Sequence, residues 1–101
     1  MKEKFDSKFV EETIILSHDY VNLLASGETI STVEWDVSVV SGTDASPNAM
    51  KSGAVSISGS KVSQKIIGGL VGVTYRQKAK ATTSQGQILV LVADIDVVPI
   101  P

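Results

Sequence analysis

The chain contains no cysteine among its 101 residues. No disulfide can staple it, so its fold rests on apolar packing and hydrogen bonding, and the absence fits maturation in a reducing cytoplasm. Histidine occurs once, at His18, and the serines lie in loop-like sequence without a nucleophile-elbow pattern. A base without a nucleophile beside it makes a poor catalyst, and the sequence reads as non-enzymatic. Aromatics are few: two phenylalanines, two tyrosines and one tryptophan. That leaves little to stack on nucleic-acid bases. No apolar run approaches the roughly 20 residues that cross a bilayer. The opening Met1-Lys2-Glu3-Lys4-Phe5-Asp6 mixes charges where a secretory signal would turn apolar. Neither a nucleic acid nor a membrane is expected as partner.

Metal and cofactor signals are absent too. Asp19, Asp36, Asp44, Asp94 and Asp96 carry oxygen ligands, but their spacing matches no EF-hand loop. The run Gly68-Gly69-Leu70-Val71-Gly72 invites comparison with a phosphate loop, yet no Lys-Ser/Thr pair and no helix follow it. No cofactor and no metal are expected.

What the chain does have is an apolar fraction of 43%, ordinary for one folded domain with a modest core. Its net charge of −2 conceals a segregation. Residues 1 to 44 hold nine acids and three bases, whereas residues 45 to 93 hold six bases and no acid. Acidic early strands set beside basic late strands would balance these charges across a sheet.

The periodicity is that of strands. Residues 1 to 12 read as an N-terminal arm or edge strand, with Phe5, Phe9 and Val10 as anchors. From Thr13 to Val21, Ile14, Leu16, His18 and Tyr20 share one face. From Ile30 to Val40, Val33, Trp35, Val37 and Val39 alternate with Glu34, Asp36 and Ser38, the mark of one buried and one wet face. Ser41 to Ser52 is loop by composition. Short strands follow at Ala54–Ser58 and Lys61–Ile67. Gly72 to Thr82 points Val73, Tyr75, Ala79 and Ala81 inward and Arg76, Lys78 and Lys80 outward. Gln77 falls on the inward face, where it needs partners. Thr83-Ser84-Gln85-Gly86 makes a hairpin turn, and Ile88 to Val97 is the last strand.

Turn signals at about ten-residue spacing predict an all-β sandwich of about seven antiparallel strands. A glycine corner before a strand bearing a tyrosine is how the final hairpin of an immunoglobulin-like or fibronectin III-like domain is written. Gly68, Gly69 and Gly72 read as the corner, Tyr75 as its anchor and Trp35 as a core residue, all structural. The sandwich is expected over residues 13 to 98.

The last strand is unusual. Ile88, Val90 and Val92 occupy one face, and Leu89, Leu91, Ala93 and Ile95 the other. A sandwich strand needs one apolar face. The second is covered by the arm or by another protein, which makes Leu89, Leu91, Ile95, Phe5 and Phe9 the candidate interface residues.

Residues 9 to 97 resemble a family of small immunoglobulin-like virion proteins of tailed bacteriophages, encoded among head and neck genes. The stretches that carry the resemblance are Val10-Glu11-Glu12-Thr13-Ile14-Ile15-Leu16, Asp19-Tyr20, Leu24-Ala25-Ser26-Gly27-Glu28-Thr29-Ile30-Ser31, Val33-Glu34-Trp35-Asp36-Val37 and, above all, Gly68-Gly69-Leu70-Val71-Gly72-Val73-Thr74-Tyr75-Arg76 with Thr82-Thr83-Ser84-Gln85-Gly86-Gln87. Two departures stand out: relatives tend to carry leucine where Gln77 stands, and often a proline near Glu11 or Glu12. The resemblance implies a structural protein in many symmetric copies, docked on the capsid, portal or head-to-tail adaptor. It would be made in the host cytoplasm and end in the virion. The alternative is a surface module that recognises a host receptor or glycan through Ser41–Ser52 and Thr83–Gly86.

Overall fold

The computed structural model describes residues 3–100. Its strands run β1 (Glu3–Lys4), β2 (Lys8–Phe9), β3 (Ile14–Asp19), β4 (Ile30–Ser41), β5 (Lys51–Ser58), β6 (Lys61–Ile66), β7 (Thr74–Thr83) and β8 (Ile88–Val98). They form two sheets. The larger has the order β1-β8-β7-β4, with β2 also beside β8, and the smaller the order β3-β6-β5. The all-β, two-sheet architecture expected from the alternating pattern is present.

Strand sense differs in one respect from a wholly antiparallel sandwich. β1 and β2 pair parallel to β8, with Glu3 opposite Ala93 and Lys8 opposite Val97. Two-residue strands carry no periodicity, so nothing in the arm's sequence announces its direction. β4, β7 and β8 are antiparallel neighbours, and Glu34 and Asp36 stand directly opposite Lys80 and Lys78. The segregated charges thus meet across one sheet.

The core follows from period two. Along β7, Tyr75, Gln77, Ala79, Ala81 and Thr83 are buried, while the residues between them are half-buried. Trp35 and Val37 of β4, Leu16 and His18 of β3, Val62 and Ile66 of β6, and Ala93, Ile95 and Val97 of β8 close on them. Each large aliphatic buried in this way contributes about 1.5–3 kcal/mol. Ala79 lies opposite Trp35, and its small side chain leaves room for the indole. The Tyr20 hydroxyl reaches the same residue and donates to Ala79 O at 2.5 Å.

The Ser41–Ser52 stretch is more ordered than its composition suggests. Pro47–Met50 forms one 3₁₀ turn, and β5 begins at Lys51. Proline opens the turn at a position where a missing N–H costs nothing. Met50, only 2% exposed, pins the turn to the core. From this segment Asn48 Oδ1 accepts the Val37 N–H at 2.8 Å, and Lys51 Nζ donates to Trp35 O at 2.8 Å. Two side chains thereby plug the outer edge of β4, which would otherwise offer unpaired backbone.

The glycines ahead of β7 have left-handed backbone. Gly68, Gly69 and Gly72 have φ of +61°, +92° and +86°. At Gly69 a Cβ would come 2.8 Å from Val97 Cγ2 and 3.0 Å from Met50 Cε, so both conformation and space require glycine. The Tyr75 hydroxyl accepts the Leu70 N–H at 2.8 Å and donates to Asp44 Oδ2 at 2.6 Å.

Candidate functional site

The groups with chemical potential are all engaged in holding the domain together. His18 is buried between two rings, its centroid 5.0 Å from Trp35 and 5.5 Å from Phe5, with Nε2 3.1 Å from Gln77 O. Gln77 Oε1 accepts the indole N–H of Trp35 at 2.8 Å, which answers its placement on the inward face. Its Nε2 is buried without a partner among the described residues. Asp19 accepts from Val21 N–H and the Ser60 hydroxyl, and Asp36 from Asn48. Asp44 accepts from Tyr75 and from Ser46 N–H, and those bonds hold its carboxyl below the ordinary value. Asp94 faces Arg76 Nε at 3.2 Å, and Asp96 faces Lys4 Nζ at 2.8 Å. Among the described residues, no three His, Cys, Asp or Glu side chains converge as a metal site would require.

Burial raises the Tyr75 phenol to about 12, with the Asp44 hydrogen bond adding to the effect. Burial likewise raises Tyr20 to about 12. Both stay neutral at working pH and serve as anchors.

The candidate interface residues separate on inspection. Ile95 is fully buried, and Leu89, Leu91 and Phe5 pack partly buried against the core. Phe9 lies at the exposed margin. The inward apolar face of β8 is therefore the domain's own core, and the surplus apolar surface is on the outward face. There Ile88 is 61% and Val90 48% exposed. The arm covers neither. It pairs along the edge of β8 at residues 93–94 and 97–98.

Apart from Ile15 within β3, 66% exposed, the remaining exposed large apolar residues collect at opposite ends of the sandwich. At the end that carries the glycine corner lie Phe9, Val40, Ile67, Leu70, Val71 and Ile100. The registers put them together, since Phe9 pairs with Val98, Ser41 with Thr74, and Gly72 N–H donates to Val97 O. At the end that carries the β7–β8 turn lie Val21, Leu23 and Ile57. Ile57 pairs with Val62 beside the β5–β6 turn, and Tyr20 N–H donates to Ser60 O in that turn. The body between the two ends is long and narrow, 46 × 24 × 23 Å.

Lysine 8 is a structural element that sequence reasoning missed. It is fully buried, and Nζ donates to Phe9 O, Val10 O and Gly68 O at 2.9, 3.2 and 2.7 Å. A lysine in a charged arm gives no sequence signal of burial. Glu28 is another, buried with its carboxylate accepting from the Thr83 hydroxyl at 2.5 Å, across a separation of 55 residues.

Among the described residues, no helix is long and apolar enough to cross a membrane. No curated protein and no solved structure matches the chain. A family model described as podophage GP4 fiber-tail adaptor protein gp77 matches residues 8–95. The resemblance to a small phage virion protein family, read from residues 9 to 97, is thereby met. The chain belongs to the family of podophage GP4 fiber-tail adaptor protein gp77, structural proteins of the phage particle.

Proposed function

We propose that this protein is a non-enzymatic adaptor that joins a fibre to the tail of a podophage particle, holding one component at each end of the sandwich. The observation that carries this reading is the distribution of exposed apolar side chains, Leu70 and Val71 at one end and Val21 and Leu23 at the other of a 46 Å body. Patches at opposite ends suit a spacer between two partners, and burial of apolar surface supplies the grip. Of the positions considered from the sequence, capsid, portal or head-to-tail adaptor, the family's description favours a place on the tail side. The partners are other virion proteins, in several symmetric copies, and neither nucleic acid nor membrane takes part. The chain is made in the host cytoplasm and ends in the virion.

The domain type that fits best is the immunoglobulin-like sandwich. Supporting it are the pairing of the Trp35 strand with the Tyr75 strand, the facing β3-β6-β5 sheet, and the Tyr75 hydroxyl bonded to backbone five residues upstream. A receptor or glycan module fits less well. In the loop that would carry recognition, Asp44, Asn48 and Met50 are all turned to internal partners.

The test is to place a charge at each end separately. Leu70→Glu and Leu23→Glu should each leave the domain folded and each release a different neighbour in pull-downs from disrupted particles. Loss of the same neighbour from both variants, or of none, would refute the two-ended reading.

A further inference from the structure

The outer edge of β8 is occupied along only part of its length. Phe5 N–H donates to Asp94 O at 2.8 Å on the side of β8 away from β7. Residues two apart present their N–H and C=O to the same edge, so Ile88, Val90 and Val92 present theirs outward as well. The odd-numbered residues serve β7, as Gly72 N–H to Val97 O and Val97 N–H to Val73 O confirm. The arm's described pairs begin at Ala93. Among the described residues, nothing pairs with the edge at Ile88 and Val90, in contrast to the edge of β4, which Asn48 and Lys51 plug.

An incoming strand at this edge would need apolar side chains on both faces. On the outer face it would meet Ile88 and Val90. On the inner face it would meet Leu91 and a groove of about 550 Å³, apolar at Leu23 and Val92 and polar at Ser17, His18, Asp19 and Asn22. The segment Ile88-Leu89-Val90-Leu91-Val92 itself has that composition. We infer that β8 pairs antiparallel with β8 of a second copy across a two-fold axis near Val90, merging two large sheets into one.

Charge selects the same occupant. A two-fold axis brings each residue near its own copy, so a charged edge would repel itself. Residues 83 to 93 contain no charged side chain. The nearest basic residues, Lys78 and Lys80, stand one strand back on β7. Across the axis the two β7 strands lie three strand spacings apart, about 14 Å. That exceeds the Debye length of about 8 Å at physiological salt, so these lysines do not oppose the contact. Pairing around Val90 also joins outward-facing groups to outward-facing groups, the condition for a hydrogen-bonded pair. The strip is short beside the roughly 1,200–2,000 Å² of a stable interface. The dimer is therefore concentration-dependent, and it is favoured where copies are already gathered on a particle.

The absence of cysteine makes the test direct. In Val90→Cys, the paired Cα atoms would stand about 5.5 Å apart, within disulfide reach. Mild oxidation with diamide should link the copies at least tenfold faster than in Ile15→Cys, an exposed control on β3. Sedimentation equilibrium of the unaltered chain should show a monomer–dimer equilibrium, and Val90→Lys should remain monomeric with an unchanged unfolding midpoint. If Val90→Lys does not fold, the cross-linking comparison decides. A chain monomeric at millimolar concentration, equal linking rates for the two cysteine variants, or dimerisation that persists in folded Val90→Lys would overturn the proposal. Leu23 borders both this groove and the patch at the β7–β8 end, but the Val90 and Ile15 variants leave Leu23 and Leu70 unaltered, so the two readings still fail separately.

Discussion

The ammonium of Lys8 donates to the carbonyl of Gly68 at 2.7 Å, tying the N-terminal arm to the glycine corner 60 residues away. The same ammonium holds Phe9 O and Val10 O, so one buried side chain satisfies three carbonyls. Burial lowers its pKa, and the Coulombic pull of Glu12 works against that shift. Replacing Lys8 with Met keeps the stem and leaves the carbonyls bare. The cost should be about 1–3 kcal/mol, because unsatisfied buried acceptors outweigh the relief of removing a desolvated charge. Urea unfolding measures the loss, and hydrogen exchange at Phe5 N–H should quicken as the arm loosens.

Tyr75 and Asp44 form the second long-range tie. Tyr75→Phe removes both the donor to Asp44 and the acceptor for Leu70 N–H, while the ring remains to fill the core. A loss of about 1–2 kcal/mol is expected. Tyr20→Phe removes the bond donated to Ala79 O and a backbone hydrogen bond at Leu91, but no charged partner, and should cost less. Equal losses would mean that the corner contributes no more than an ordinary buried hydroxyl.

The pair Trp35 and Gln77 should be thermodynamically coupled. Gln77→Leu removes an amide nitrogen that has no partner among the described residues, but it also removes the acceptor of the indole N–H. The two effects are of similar size and opposite sign, so the single change should lie within about 1 kcal/mol of neutral. Trp35→Phe should cost less in the Gln77→Leu background than alone, with a coupling of about 0.5–3 kcal/mol. A double-mutant cycle with no coupling would contradict the pairing.

Stability should fall at both extremes of pH. The carboxyls of Asp44, Glu28 and Asp96 are held below their ordinary values, chiefly by the hydroxyls of Tyr75 and Thr83 and by Lys4 respectively. Their contribution is complete above the ordinary values of 3.8 and 4.5 and is lost as pH falls through the depressed ones. Tyr20 and Tyr75 are raised from 10.0 to about 12, chiefly by burial. Their contribution is complete below 10.0 and disappears as pH rises toward 12. Unfolding midpoints should therefore form a plateau between about pH 5 and 10. Tyr75→Phe should soften the alkaline limb.

Much of this fold is legible because period two is a strong signal. The alternation around Trp35 and the run from Val73 to Ala81 place their residues on the faces where they lie. The glycine corner is legible because a turn before Tyr75 needs positive φ. What stays hidden is nonlocal. Lysine 8 looks like a solvated charge until Gly68 is brought beside it, and Glu28 looks exposed until Thr83 caps it. The last strand shows why a two-sided apolar pattern is ambiguous. It announces a surplus face without saying which one the sandwich closes, and Leu89, Leu91 and Ile95 are on the closed side. Phe5 is partly closed off by the same core, whereas Phe9 remains at the exposed margin.

A reconstruction of the intact particle's tail would show whether this adaptor is gripped at both ends. Density for the domain should lie between tail and fibre, with Leu70 and Val71 buried against one component and Val21 and Leu23 against the other. Density that contacts a single component, or purified particles that lack the chain, would contradict that placement.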